Sequence, residues 1–416
     1  MKKLITLVLA LFIYNLSLNI DNCSAQWAQY SNGIGTYNVI SFVLNGNTLY
    51  AGSEGQNSGP GNGVYFSNNY GTNWNYSGLS PYNVQCLAVS GTNIFAGTRT
   101  AGVFLSTNNG GSWTAVNNGL TQMRVQALTV SGNYIFAGCD NGAGVFRSTN
   151  NGANWSSCGL TGLGVFSFAV NGSNLFAGTN TGISLSTNNG GSWTQTSPPP
   201  VWVRSIVISG TKIFAGGDAG GVYLSTNNGG NWTVINSGFP AGDVTSVAII
   251  GSNLLAGIDY PNTYWGVYFS SNNGSTWITK NDGFTWSPAP PICAFIIINN
   301  YIFAGTGGQV WRRPLSDFIG IKQISEVVPS KYSLEQNYPN PFNPTTNIRY
   351  ESPKNGFIRF VVFDMLGREV ETLVNEKQTP GTYEVTFDAS KYSSGVYYYK
   401  LITDGFSETK KMILIK

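Results

Sequence analysis

The eight residues Ser106-Thr-Asn-Asn-Gly-Gly-Ser-Trp113 constrain this chain more than any other stretch, because the spacing S-x-N-x-G-x-x-W recurs from Ser67, Ser148, Ser186, Ser225 and Ser270. Successive starts lie 39, 42, 38, 39 and 45 residues apart. In each copy, as in Ser106, Asn108, Gly110 and Trp113 or in Ser148, Asn150, Gly152 and Trp155, an Asn can bond its own backbone and a Gly tolerates positive φ. The Trp that follows anchors the resulting hairpin in apolar surroundings. Self-similarity at about forty residues marks a repeat architecture, so the period decides the fold.

Residues 125–160 show one unit. Val125–Val130 reads as a strand, Ser131-Gly-Asn133 as a turn, Tyr134–Ala137 as a second strand and Gly144–Ser148 as a third, with Trp155 opening a fourth. Four short antiparallel strands make one blade. An Ala-Gly pair closing the second strand occurs seven times, at Ala51, Ala96, Ala137, Ala177, Ala215, Ala256 and Ala304, one more than the Ser/Trp turn. The difference lies at the ends: the seventh unit stops after three strands at Gln309–Arg313, and Trp27-Ala-Gln-Tyr-Ser-Asn-Gly33 matches the fourth-strand stretch Trp113–Gly119. The expected fold is all-β, a seven-bladed β-propeller over 26–315 whose last blade is completed by the N-terminal strand, a closure that removes sheet edges by circular repetition.

Charged residues make up 10% of the chain against about 25% in ordinary soluble domains, and the net charge is +3 with no basic run, so no nucleic-acid footprint is present. The chain contains no His. That excludes Ser-His-Asp and Cys-His nucleophile systems, His-ligated zinc and imidazole pH switches. Residues 1–25 read as a secretory signal: Lys2 and Lys3, an apolar run from Leu4, and Cys23-Ser-Ala25 as a small-residue cleavage site. A lipid-anchored Cys23 is disfavoured by Ile20-Asp21-Asn22 upstream. No other segment approaches the roughly 18 apolar residues of a membrane span. In the repeat register Cys86, Cys139, Cys158 and Cys293 fall too far apart to bridge, so free thiols are expected.

The turn resembles the Asp-box, or bacterial neuraminidase repeat, of sialidases, sortilin-type propellers, some glycoside hydrolases and photosystem-assembly propellers. It departs from that pattern where Asn69, Asn108, Asn150, Asn188, Asn227 and Asn272 replace the usual Asp. An Asn still closes the turn, but neutral amides weaken any calcium role, and neither a metal nor a cofactor is expected.

After residue 318 the composition changes: 15 charged residues lie in 26–318 and 23 in 321–416. A polar linker over 316–331 leads into a C-terminal domain over 332–416, with strands at 347–350, 358–363, 383–387, 396–402 and 411–415, read as an immunoglobulin-like β-sandwich. Asn337–Pro344, Val362–Val370, Pro380–Tyr383, Phe387–Ser390, Ser394–Tyr397 and Lys410–Lys416 resemble, in order, the type A C-terminal sorting domain of the type IX secretion system. The resemblance implies passage through the periplasm, recognition by an outer-membrane translocon, removal of the domain, and a product secreted or held at the outer cell surface.

Six near-uniform Ser/Trp turns open on one face of a propeller, so variation, and with it a ligand site, is expected on the opposite face. There the second residue past each Ala-Gly forms a ring of Glu54, Arg99, Asp140, Asn180, Asp218, Asp259 and Gly307. Longer connections at 53–62, 258–265 and 282–291 add Tyr260, Tyr264, Trp265, Phe284 and Trp286 near Glu54 and Asp259. Aromatics beside carboxylates suit sugar stacking or a protein hot spot. A monomeric surface or secreted binding module for a glycan or an extracellular protein is the expected function. The alternative is a sialidase-like or xyloglucanase-like glycosidase using Asp218 and Asp259 as its carboxylate pair. Against it, Arg99, Arg124, Arg147 and Arg204 form no recognisable arginine motif and Glu54 is the propeller's only Glu.

Overall fold

The structure is a computed structural model and describes residues 26–416, apart from 57–58, 197–201, 219, 241, 252, 261, 286–288, 320, 326 and 390–391. The expected signal segment, 1–25, lies outside the described residues.

Among the described residues, seven four-stranded antiparallel sheets follow one another between Ala28 and Pro314. In the third, Val125–Ser131, Tyr134–Cys139, Gly144–Ser148 and Ser156–Ser157 lie side by side in chain order from the inside out. The outermost strand spans two residues in every sheet except the first, where Asn75–Gly78 spans four, so little backbone is left unpaired at the periphery. The last sheet takes its outer strand from the other end of the chain: Ala28 pairs with Arg312 and Gln29 with Trp311. Trp27, 1% exposed, stacks on Phe284 with ring centroids 5.3 Å apart and donates from Nε1 to the Lys280 carbonyl at 2.7 Å.

The Ala-Gly signature has a steric origin. A Cβ on Gly138 would lie 2.7 Å from Val165 Cγ1, and one on Gly257 2.4 Å from Ile292 Cγ2, because the next sheet's innermost strand packs directly over the second strand. The same relation holds between the last sheet and the first, where a Cβ on Gly305 would lie 2.3 Å from the Val39 carbonyl oxygen. The sheets therefore form a ring, with their apolar residues buried in the gaps between neighbours.

Within 316–331 the described residues include regular structure. Ser316–Ile319 form one helical turn that seats Phe318, 2% exposed, against Trp27 and Phe269, while buried Arg313 bonds Asp317 at 2.9 Å. Ile321–Ser325 then joins the C-terminal region by pairing with Gly381–Asp388. That region consists of two four-stranded sheets facing one core, in which Phe342, Ile348, Phe360, Val385, Tyr399 and Leu401 are buried. The five anticipated strands are present, with a long additional one at Glu369–Gln378. Its sequence, Glu-Val-Glu-Thr-Leu-Val-Asn-Glu-Lys-Gln, is rich in residues that strands disfavour, and it lies at a sheet edge where charge is tolerated. Cys86, Cys139, Cys158 and Cys293 are free thiols.

Candidate functional site

The ring has two unlike faces. On one, all six Ser/Trp turns share a single construction. Ser106 Oγ donates to Asn108 Oδ1 at 3.0 Å and accepts from the Gly110 amide at 2.8 Å, while Asn108 Oδ1 also accepts from the Ser112 amide at 2.9 Å. The set around Ser148, Asn150, Gly152 and Asn154 repeats this at 3.0, 2.9 and 2.9 Å. Asn109 and Asn151 sit at φ 55°, a conformation that Asn accepts more readily than most residues. Trp113 Nε1 donates to the Ser77 carbonyl at 3.1 Å and Trp155 Nε1 to the Val116 carbonyl at 2.7 Å, tying these two turns to the preceding sheet. These side chains are consumed by the fold.

On the opposite face the central channel opens into a cavity of about 380 Å³. Seven of the residues lining it are set by one repeated device. Each innermost strand carries an inserted residue that breaks its pairing with the second strand: Ile40, Gln85, Gln126, Phe166, Arg204, Thr245 and Cys293. All seven line the cavity. A bulge leaves its residue out of the ladder and re-aims the side chain, and here it does so towards the axis. Each inserted residue follows a buried Val or Ile: Val39, Val84, Val125, Val165, Val203, Val244 and Ile292.

The carboxylates at this mouth are not equivalent. Glu54 is held by Arg99 at 2.7 Å, Asp140 by Arg124 at 3.1 Å, and Asp218 by Arg204 in a two-pronged pair whose second contact is 2.7 Å. Gln85 and Gln126 donate to Glu54 and Asp140 at 3.4 and 3.3 Å. Asp259 makes no ion pair among the described residues. It is also the second irregularity of its sheet, skipped between Tyr260 paired with Asp243 and Ile258 paired with Val244, and so leaves the ladder to line the cavity. Burial raises its carboxyl to about 6; Arg204 pulls it down, and Asp243 and Asp218 push it up.

Of the residues anticipated from sequence, Glu54, Asp259 and Trp265 meet in the cavity wall, and the Trp265 Nε1 donates to the Asp259 carbonyl. Asp140 and Asp218 are not part of that wall; they are held by Arg124 and by the lining residue Arg204. Tyr264, 42% exposed, lies on the helical turn Asn262–Tyr264, and the Tyr260 backbone ends the strand before it. Phe284 does not join them. It stacks on Trp27 and meets Trp311 edge-on at 5.0 Å, repeating the position of Leu120 and Phe239 after a Gly at the end of their own units, so it packs half-buried against the core between sheets. Trp286 lies outside the described residues.

Trp202, by contrast, went unnoticed in the sequence. It is 45% exposed, stacks on Phe166 at 5.2 Å and 14°, and has the Arg204 guanidinium 5.8 Å from its ring. The signal that finds these residues is the alignment of the innermost strands, Asn38-Val-Ile-Ser41, Asn83-Val-Gln-Cys86, Arg124-Val-Gln-Ala127, Gly164-Val-Phe-Ser167, Trp202-Val-Arg-Ser205, Asp243-Val-Thr-Ser246 and Pro291-Ile-Cys-Ala294, whose third position varies while the second is Val in six strands and Ile in the seventh.

No curated protein matches the chain by sequence. Residues 134–254 match the family described as DUF6242 beta propeller domain, and residues 336–416 the family described as Secretion system C-terminal sorting domain. Among solved structures, YCF48 from Cyanidioschyzon merolae aligns with TM-score 0.55 at 15% identity, covering 70% of this chain and 99% of that one. The GH74 enzyme of Niastella koreensis aligns with TM-score 0.56 at 15% identity over 93% of this chain and 67% of its own. The GH74 xyloglucanase of Xanthomonas campestris aligns with TM-score 0.54 at 16% identity over 79% and 60%. At such identities these likenesses show the fold. Among the described residues no helix is long and apolar enough to cross a membrane. The chain thus joins a β-propeller to a C-terminal sorting domain that directs its export through the type IX secretion system to the cell surface or beyond.

Proposed function

We propose that the exported chain is a binding module: a seven-bladed propeller with Asp-box-type turns and an immunoglobulin-like C-terminal sandwich, acting as a monomer on a glycan or an extracellular protein at the channel mouth. The observation that carries this reading is the row of bulges. A structural channel needs only small or apolar filling, whereas this one displays Gln85, Gln126, Phe166, Arg204 and Thr245 around a cavity of about 380 Å³, with the Phe166–Trp202 stack at its rim. Ligand sites combine such apolar walls with a few placed polar groups.

The glycosidase alternative draws support from Asp259, whose carboxyl is raised to about 6 as a general acid requires. Its proposed partner does not suit the role, because Asp218 is clamped by Arg204 with both oxygens engaged. The GH74 likeness carries architecture and no substrate. Glycan-array and extracellular-protein binding by the purified chain test the proposal. Trp202→Ala and Trp265→Ala should each weaken binding at least tenfold without turnover of fluorogenic sialosides or β-glucan oligomers. Turnover that Asp259→Asn abolishes would establish the enzyme instead.

A further inference from the structure

The sixth sheet lacks a cation that the third and fifth carry beside their ring carboxylates. In the third sheet the residue before the buried Val is Arg124, which pairs with the ring carboxylate Asp140. In the fifth sheet the bulge residue Arg204 pairs with Asp218. The sixth sheet places Asp243 and Thr245 at these two positions, so beside its own ring carboxylate, Asp259, it sets a second acid and a neutral hydroxyl. Arg204, the nearest cation from the adjoining sheet, already has both prongs on Asp218. The other polar residues lining the cavity are Asn38, Glu54, Gln85, Gln126, Thr245 and Cys293, none of them a cation. Trp265 is fixed beside it by the bond from its indole to the Asp259 carbonyl.

We infer that the channel mouth takes the cationic end of its ligand, an alkylammonium group, in the arginine-free position of the sixth sheet, with the Asp259 carboxylate as counter-charge and the Trp265 ring as one wall. The inference rests on the channel-mouth reading above and narrows its ligand class. A carboxylate and an indole supply the two attractions that desolvated ammonium ions use, charge pairing and the ring quadrupole. Because burial and the acids Asp243 and Asp218 raise the Asp259 carboxyl to about 6 against the opposing pull of Arg204, the counter-charge is present above that pH and lost below it. The cation can come from an amino sugar or from a lysine side chain, and the two sources are separable by experiment.

The test is isothermal titration of the purified chain with a glucosamine tetramer and its N-acetylated counterpart, and with tri-lysine and its Nε-acetylated counterpart, at pH 5 and 7.5. At least one cationic probe should bind tenfold tighter than its acetylated partner at pH 7.5, with the preference shrinking at pH 5; the member that binds identifies the source. Asp259→Asn should abolish the preference. Thr245→Arg, which copies the fifth sheet and gives up the Thr245 hydroxyl's bonds to the Gly257 and Ile292 carbonyls, should abolish it, with far-UV circular dichroism showing that the variant folds. Equal binding of charged and acetylated probes, binding of neither, or a preference that survives both substitutions overturns the inference. If neutral glycans or proteins then bind in a Trp265-dependent way, the channel-mouth reading stands without it; if Trp202→Ala and Trp265→Ala change no binding at all, that reading falls as well.

Discussion

Gly305→Ala tests whether the ring closes. Gly305 lies in the second strand of the last sheet, and its φ is not one that disfavours a side chain, so an alanine there is conformationally permitted. In an open array the change would stabilise by about 0.5–1 kcal/mol, the ordinary gain of Ala over Gly inside a strand. In the ring the new Cβ meets the Val39 carbonyl oxygen at 2.3 Å and Phe42 Cε2 and Val39 Cγ1 at 3.0 Å. A backbone oxygen cannot rotate away, so the first sheet must shift, at a cost of about 1–3 kcal/mol typical of overpacking. For a ring of this size that lowers the melting temperature by roughly 2–5 °C. Urea and thermal unfolding followed by tryptophan fluorescence measure it, with Gly178→Ala as the internal standard because its Cβ would lie 2.6 Å from the Val203 carbonyl oxygen. If Gly178→Ala destabilises while Gly305→Ala is neutral or stabilising, the last and first sheets are not packed as described.

Ser106→Ala leaves the buried Gly110 amide without its acceptor and should cost about 1–3 kcal/mol in urea unfolding, whereas Asn108→Asp keeps that acceptor role and should cost less than about 1 kcal/mol. Trp27→Ala removes a side chain 1% exposed that stacks on Phe284 and bonds Lys280, and should lose about 3–5 kcal/mol by chemical denaturation. Asp259, raised to about 6, binds its proton more tightly folded than unfolded, so its ionisation weighs against the fold increasingly as pH rises from about 4 and fully above about 6. Asp259→Asn should therefore gain stability over wild type across that interval and hold the gain above it; a difference flat in pH contradicts the assignment. Deleting residues 336–416 should strand the propeller in the periplasm, which fractionation and surface proteolysis reveal.

The repeating turns were legible because their chemistry is local: Ser, Asn and Gly bond within eight residues, so spacing alone exposes them. The Ala-Gly pairs were equally visible, but their cause was not, since the clash that excludes a side chain at Gly138 comes from Val165 in the next unit. Part of the candidate site was legible. Glu54, Asp259 and Trp265 stand on strand ends and connections whose positions follow from counting, and the structure brings them to one cavity. Phe284 looked like a loop aromatic because the apolar position it shares with Leu120 and Phe239 shows only when the units are aligned after their fourth strands. The bulges escaped for a physical reason: one inserted residue shifts the inward-outward alternation midway through a strand, so Phe166 and Arg204 read as ordinary alternating positions until the pairing register is known.

Those seven insertions bear on how such a chain can change over generations. A residue inside the ladder is judged by its partners across two strands; a bulged residue stands outside that pairing and answers to its neighbours around the mouth, as Gln85 does to Glu54 and Arg204 to Asp218. With Val or Ile holding the packing one position earlier, substitution at the third position of each innermost strand can proceed with little penalty to folding, and the present occupants already span six residue types, Ile, Gln, Phe, Arg, Thr and Cys. The scaffold therefore separates inheritance of shape from variation at the channel mouth: seven positions around one axis lie outside the strand ladders, on a frame whose packing is held one position earlier.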